Sequence, residues 1–275
     1  MPILTRAAAS RWVVITDLDG TLLDHDSYSL EPALPALARL AESGTALVLA
    51  TSKTRAELGG IQRQLALGGP VIAENGALLA LPAGWSGDAE TLQRFSPPYP
   101  ELLTLLGDLR RSHGFRFQGF HDLGPQEVAA LTGLTPEAAE AACAREGSEP
   151  IRWQGSHESF EQFAARLAEH DLKLLRGGRF HHVIGAGADK ARALHAVLAA
   201  LRAHGWRGRS IVLGDAPNDH GMLCAADIPV IVRNPHAAPM PPIENPHLIR
   251  TASAGPAGWR EAIEAILEDP REKFS

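Results

Sequence analysis

The stretch WVVITDLDGTLLD, residues 12–24, decides how the rest of the chain is read. Its first five residues, Trp12 to Thr16, form a short apolar block rich in Val and Ile, the pattern of a strand buried on both faces. The block runs directly into Asp17 and Asp19, two carboxylates at i and i+2 that point to the same side of an extended backbone. Like charges so close resist joint ionisation unless a cation or a proton intervenes. The carboxyl end of a buried parallel strand is where open α/β sheets bind ligands, and magnesium is the natural remedy for paired acids there.

Working outward, EPALPALARLAESG (31–44) places Leu34, Leu37 and Leu40 at helical spacing, with Gly44 as the stop, and a second apolar strand follows at Ala46 to Thr51. Strand, helix and strand in that order predict a parallel sheet. A third strand, Val71 to Ala73, leads through Glu74, Asn75 and Gly76 into Ala77 to Leu81, where the Asn-Gly pair predicts a hairpin. The same texture returns late in the chain. A helix from Asp189 to about His204 carries Leu194, Val197, Leu198 and Leu201 on one face, and the strand Ser210 to Leu213 ends in GDAPND (214–219), which supplies Asp215 and Asp219. This second acidic cluster follows a buried strand as the first does, so it can complete an oxygen ligand set. Ile228 to Val232 is one more strand, Arg233 to His247 holds five prolines and is expected to be a surface loop, and a helix after GPAGW (255–259) closes the chain.

Between these halves the Gly- and Pro-dense stretches 84–87 and 96–100 mark a boundary. Helical patterns near 101–112, 125–131, 136–145 and 159–170, with strand-like pieces near 115–120, 150–154 and 179–184, suggest a small α+β insertion. The expected division is a core of residues 1–83 and 188–275 with an inserted unit at 84–187. Composition excludes several classes. Lys and Arg total 26 against 32 for Asp and Glu, and the net charge of −6 argues against nucleic acid or an anionic membrane as main partner. No apolar run approaches the ~20 residues of a membrane span, and the opening MPILTRAAASRW lacks the apolar block of a secretory signal. Cys143 and Cys224 form no CxxC, so a reducing, cytoplasmic setting is expected.

DLDGT at 17–21, Thr51 at the end of the second strand, Lys190 at the start of a helix and GDAPND at 214–219 resemble, in family order, the four motifs of the haloacid dehalogenase superfamily of phosphatases. The insertion between Thr51 and Lys190 matches the place of the large α/β cap of its Cof-like branch. The resemblance implies an α/β fold, with a Rossmannoid core built on a parallel sheet and an α+β cap of the C2B type. Further stretches, TSKTRAE (51–57), ENGA (74–77), SEPIRW (148–153), GRFHHV (178–183) and GPAGW (255–259), are similar to a branch of that superfamily acting on phosphorylated sugar acids.

What the resemblance implies for single residues is specific. Asp17 would be the nucleophile that forms an aspartyl-phosphate, and Asp19 the general acid and then base. Mg²⁺ would be held by Asp17, the Asp19 main-chain carbonyl and Asp215, with Asp219 alongside. Thr51, the Ser52 N–H and Lys190 would hold phosphate oxygens, with Asn218 orienting Lys190. Lys53, Arg55, Asn75, Arg179 and His182 would contact the rest of a small phosphorylated sugar acid. His181 and His182 fall on opposite faces of a strand, which excludes them as a joint metal site. A sugar phosphate with a different hexose, a phosphomutase reaction, or a non-catalytic sugar-phosphate sensor on the same fold are the alternatives. A sensor would have lost Asp17, Asp19 or Lys190, and all three are present.

Overall fold

The computed structural model describes residues 10–65, 67–85, 87–177 and 180–268. The chain runs through β1 (Trp12–Thr16), α1 (Leu34–Ser43), β2 (Ala46–Ala50), α2 (Arg55–Gln64), β3 (Val71–Ala73), β4 (Leu78–Leu81) and β5 (Thr91–Arg94). Next come α3 (Tyr99–His113), β6 (Phe117–Gly119), α4 (Phe120–Thr132), α5 (Pro136–Cys143), β7 (Ser148–Trp153), α6 (His157–Ala168), β8 (Leu172–Arg176) and β9 (His181–Gly185). The last third holds α7 (Lys190–Ala203), β10 (Arg209–Gly214), α8 (His220–Cys224), β11 (Ile228–Arg233), β12 (Ile249–Ala254) and α9 (Gly255–Glu268).

Eight strands form one sheet in the order β12-β11-β10-β1-β2-β3-β4-β5, parallel from β12 to β3 and antiparallel at β4 and β5. β1 lies at its centre, flanked by β10 and β2, and all five of its residues are buried. Alternation along the strand explains why. Val14 faces a cluster with Leu40, Trp259 and Ile263 from α1 and α9, while Val13 and Ile15 face one with Leu194, Val197 and Leu201 from α7. This α/β, parallel-rich arrangement agrees with the sequence reading. It also sets Asp17 and Asp215 just past the carboxyl ends of neighbouring strands.

The remaining strands form a four-stranded antiparallel sheet, β6-β7-β9-β8. Ile151, Val183, Leu172 and Phe117 pack there against Leu102, Leu106 and Phe163 of α3 and α6. The two sheets meet at residues 145–148. The Glu74 carboxylate accepts hydrogen bonds from Glu146 N–H (2.8 Å), Gly147 N–H (3.2 Å) and Ser148 O–H (2.7 Å). Arg55 and Arg94 ion-pair with the Glu146 carboxylate at 2.9 and 3.2 Å, and Arg145 donates to Ser52 O at 2.9 Å.

Several elements depart from the sequence reading. β5, beyond residue 83, pairs antiparallel with β4 and so extends the large sheet past the expected boundary. No element was expected between 51 and 71, yet α2 stands there. Its central Gly59 and Gly60, each worth about 1 kcal/mol less than Ala in a helix, hide a pattern that the Thr54–Glu57 capping box stabilises. β8 and β12 were also missed. The hairpin after β3 exists, but its turn is Glu74–Gly76 with Glu74 and Asn75 at φ 51° and 56°, not a two-residue Asn-Gly loop. GPAGW lies inside α9 rather than before it. The proline-rich segment carries no strand or helix from 234 to 247, as expected.

Candidate active site

Each acidic residue is placed by the strand before it. Asp17 follows β1, and its N–H donates to Leu213 O of β10 at 2.9 Å, which ties the two strand ends together. Thr16 supports it from behind, donating to Asp17 O at 2.7 Å and accepting from the Trp259 indole at 3.0 Å. Asp219 folds back over Gly214, where a Cβ would come within 2.6 Å of its own Cβ. One Asp219 oxygen thereby accepts the N–H groups of Asp215 (3.1 Å) and Ala216 (3.3 Å).

Lys190, the first residue of α7 and 1% exposed, sends its Nζ between two carboxylates, 2.7 Å from Asp17 Oδ1 and 2.7 Å from Asp219 Oδ1. Burial alone would lower its pKa, but Asp17 and Asp219 outweigh that and raise it, so the ammonium is held. Asp215 receives the Thr21 hydroxyl (2.8 Å) and the Asn234 amide (2.6 Å). Gly20, at φ 82°, makes room for this, since a Cβ there would lie 2.8 Å from Asp215 Oδ2. Burial, reinforced by neighbouring carboxylates, pushes Asp17 well above the usual range and Asp215 up to about 6.

Asp17, Asp215 and Asp219 present carboxylate oxygens within 4.8 Å of one another. Lys190 is their only ion-pair partner among the described residues, so negative charge remains in excess at this buried spot. An all-oxygen donor set with that surplus fits a hard divalent cation such as Mg²⁺.

Asp19 is drawn the other way, towards Lys53 Nζ at 2.9 Å, and its Oδ1 is buried without a hydrogen-bond partner. Burial works against the Lys53 charge, yet Asp19 and Glu57 raise its pKa overall. Thr51 is buried behind the Lys53 N–H, which reaches its Oγ1 at 3.3 Å. Ser52 is half-buried. Asn75, in left-handed backbone, donates its N–H to Thr51 O and accepts from the Asn218 amide at 3.4 Å. Gly76 beside it touches the start of α7, where a Cβ would sit 2.6 Å from Lys190 N. The structure thus brings Asp17, Asp19, Thr51, Ser52, Lys53, Asn75, Lys190, Asp215, Asn218 and Asp219 to one end of the large sheet.

Arg55 ion-pairs with Glu146 (2.9 Å) and Glu90 (2.7 Å) at the junction of the sheets. Arg179 lies outside the described residues. His182 is buried on β9 with Nδ1 unpartnered, and burial, then the charge of Arg145, lowers its pKa to about 3, so it is neutral. His181 meets the Phe160 ring of α6 at 4.7 Å. Sequence reasoning missed Thr21, Asn234, Arg145 and Glu74. Thr21 closes the DLDGT motif and Glu74 opens ENGA, so both carried a signal, whereas Asn234 sits in the expected proline-rich loop and Arg145 at the end of an expected helical pattern.

Residues 14–94 match the family model for haloacid dehalogenase-like hydrolase. A haloacid dehalogenase-like hydrolase from Bacteroides thetaiotaomicron has TM-score 0.65 at 20% identity, covering 94% of this chain and 100% of its own. A phosphatase of the haloalkanoate enzyme superfamily from the same organism has TM-score 0.63 at 21% identity, covering 97% of each chain. The sucrose-phosphatase of Synechocystis sp., solved with sucrose and phosphate, has TM-score 0.61 at 17% identity, covering 93% of this chain and 98% of its own. Among the described residues no helix is long and apolar enough to cross a membrane. Over residues 14–94 the chain therefore carries the sequence pattern of haloacid dehalogenase-like hydrolases, set within a fold that those enzymes share over nearly its whole length.

Proposed function

We propose that the protein is a magnesium-dependent phosphomonoester hydrolase that converts mannosyl-3-phosphoglycerate to mannosylglycerate through an aspartyl-phosphate on Asp17. The observation that carries phosphoryl transfer is the Lys190 ammonium 2.7 Å from both Asp17 and Asp219, with Asp215 alongside, at the carboxyl end of the central strands. An Asp17 oxygen attacks the phosphorus as the bond to the sugar-acid oxygen breaks, and Asp19 gives that oxygen its proton. Asp19 then takes a proton from the water that attacks the acyl phosphate, which releases inorganic phosphate and restores Asp17. Lys190, Thr51 and the Ser52 N–H hold phosphoryl oxygens through both steps, and Asn75 and Asn218 brace that wall. Asp17, Asp19 O, Asp215 and Asp219 would hold Mg²⁺, which would supply positive charge that lets a carboxylate approach a phosphate.

The sugar-acid substrate is supported by the stretches TSKTRAE, ENGA, SEPIRW, GRFHHV and GPAGW, which resemble mannosyl-3-phosphoglycerate phosphatase, and by the fold shared with a sucrose-phosphatase. Lys53, Arg55, Asn75, His182 and Arg179 are the proposed contacts to its sugar-acid part, and the unit built on β6 to β9 the proposed cap. Phosphate release from a panel of phosphorylated sugars and sugar acids, with and without EDTA, tests the reading. Strict metal dependence, preference for the mannosyl substrate and loss of release in Asp17→Asn are expected. Release that survives in Asp17→Asn, or in excess EDTA, would overturn it.

A further inference from the structure

A cavity of about 780 Å³ opens between the segment 23–34, α2 and α5, within the size range of small-molecule sites. We propose that it is the subsite for the sugar ring of the leaving group, with the Tyr28 ring as its stacking face and Lys53 as the contact for the attached anionic group. The proposal rests on the phosphatase reading above and adds to it the place and chemistry of specificity.

Location comes first. The oxygen that leaves phosphorus must lie within hydrogen-bond reach of Asp19, so the group attached to it extends from the Asp19 side of the site. Lys53 lines the cavity with its Nζ 2.9 Å from Asp19 Oδ2, and Leu23, another lining residue, receives the Gly20 N–H at 2.9 Å. The cavity wall thus lies one ion pair from the proposed acid.

Tyr28 is the second observation. A bulky residue at φ 55° is an uncommon, strained conformation that surrounding contacts must hold. Asp24 supplies them: its carbonyl accepts the Tyr28 N–H at 3.0 Å and its carboxylate accepts the Ser27 N–H and O–H at 2.9 and 2.7 Å. The turn so fixed leaves Tyr28 47% exposed at the cavity wall, its ring centroid 5.3 Å from Lys53 Nζ. A hexose has an apolar C–H face for such a ring and hydroxyls around its edge. Glu31 and Glu137, both exposed lining residues, offer acceptors for those hydroxyls.

The test compares kcat/KM for mannosyl-3-phosphoglycerate with that for 3-phosphoglycerate, which keeps the carboxylate and phosphoryl group but lacks the hexose. Tyr28→Asn removes the ring but adopts left-handed backbone readily, and Tyr28→Phe keeps the ring. Wild type should prefer the hexosylated ester, Tyr28→Asn should cut that preference about tenfold, mostly through KM, and Tyr28→Phe should retain it. An equal loss on both esters in Tyr28→Asn, or an unchanged preference, would overturn the subsite. If wild type favours a different sugar phosphate, the named substrate falls, and the same ratio taken with that sugar phosphate decides the subsite. If no phosphate ester is hydrolysed, both readings fall.

Discussion

Lys190 is the residue on which the charge balance of the site turns, since it is buried and bridges two carboxylates. Lys190→Met would leave Asp17 and Asp219 without a counter-charge, and breaking a buried pair costs about 3–5 kcal/mol. A lowered midpoint in thermal melts together with lost phosphate release is the expected outcome, and an unchanged midpoint would contradict this placing of the ammonium. Gly76→Ala probes the same residue from outside. Left-handed backbone costs Ala about 1–2 kcal/mol, and the new Cβ would press on Lys190 N, so kcat should fall although no side chain of the site has changed. Asp17, Asp19, Asp215 and Asp219 were legible in the sequence because paired carboxylates after buried strands need a reason to be there, and Lys190 because the order of the motifs resembles that of a known superfamily. Arg145 was not, because its partner Ser52 lies 93 residues away, and Thr21, although it closes DLDGT, gives no local sign of its own partner Asp215, 194 residues away.

The strands and helices of the core were read from apolar blocks and spacing, and those signals fail where tertiary contacts do the stabilising. α2 carries two central glycines, yet Thr54 both caps it, accepting the Glu57 N–H at 3.1 Å, and donates to Ala141 O of α5 at 2.7 Å. β7 shows how burial can oppose an acidic side chain. Glu149 accepts the Tyr99 hydroxyl at 2.6 Å and the His121 N–H at 2.9 Å, but burial raises its pKa to about 7. Its folded value exceeds the ordinary 4.5, so between these limits the folded chain keeps a proton that the unfolded chain has released. The stability it lends is complete below pH 4.5 and is lost as pH rises through about 7. Urea melts of wild type and Glu149→Gln should therefore diverge in slope over that window, with wild type losing up to about 3 kcal/mol more. Parallel curves would show that Glu149 ionises as freely in the folded chain as in the unfolded one.

At the scale of the molecule, residues 145–148 join the two sheets through contacts of unequal worth. Glu74 is fully buried, and Glu74→Ala would orphan three donors at about 1–3 kcal/mol each, whereas Glu146 pairs with arginines that are 32% and 39% exposed, at about 0–1 kcal/mol per pair. Thermal melts should show a large fall for Glu74→Ala and a small one for Glu146→Ala. The parallel sheet could be read from the sequence because its strands are continuous apolar runs, while the junction could not, because it is made of backbone N–H groups that any residue possesses. The central position of β1 has a last consequence, one of time. Lys190 follows Asp17 by 173 residues, about 10 to 35 seconds at ordinary rates of synthesis. Until β10 emerges, β1 lacks one of its two neighbours and shows an open edge of unpaired backbone groups between largely apolar faces. A messenger cut short before β10 would thus yield no weakened enzyme, only a sticky fragment for the cell to clear.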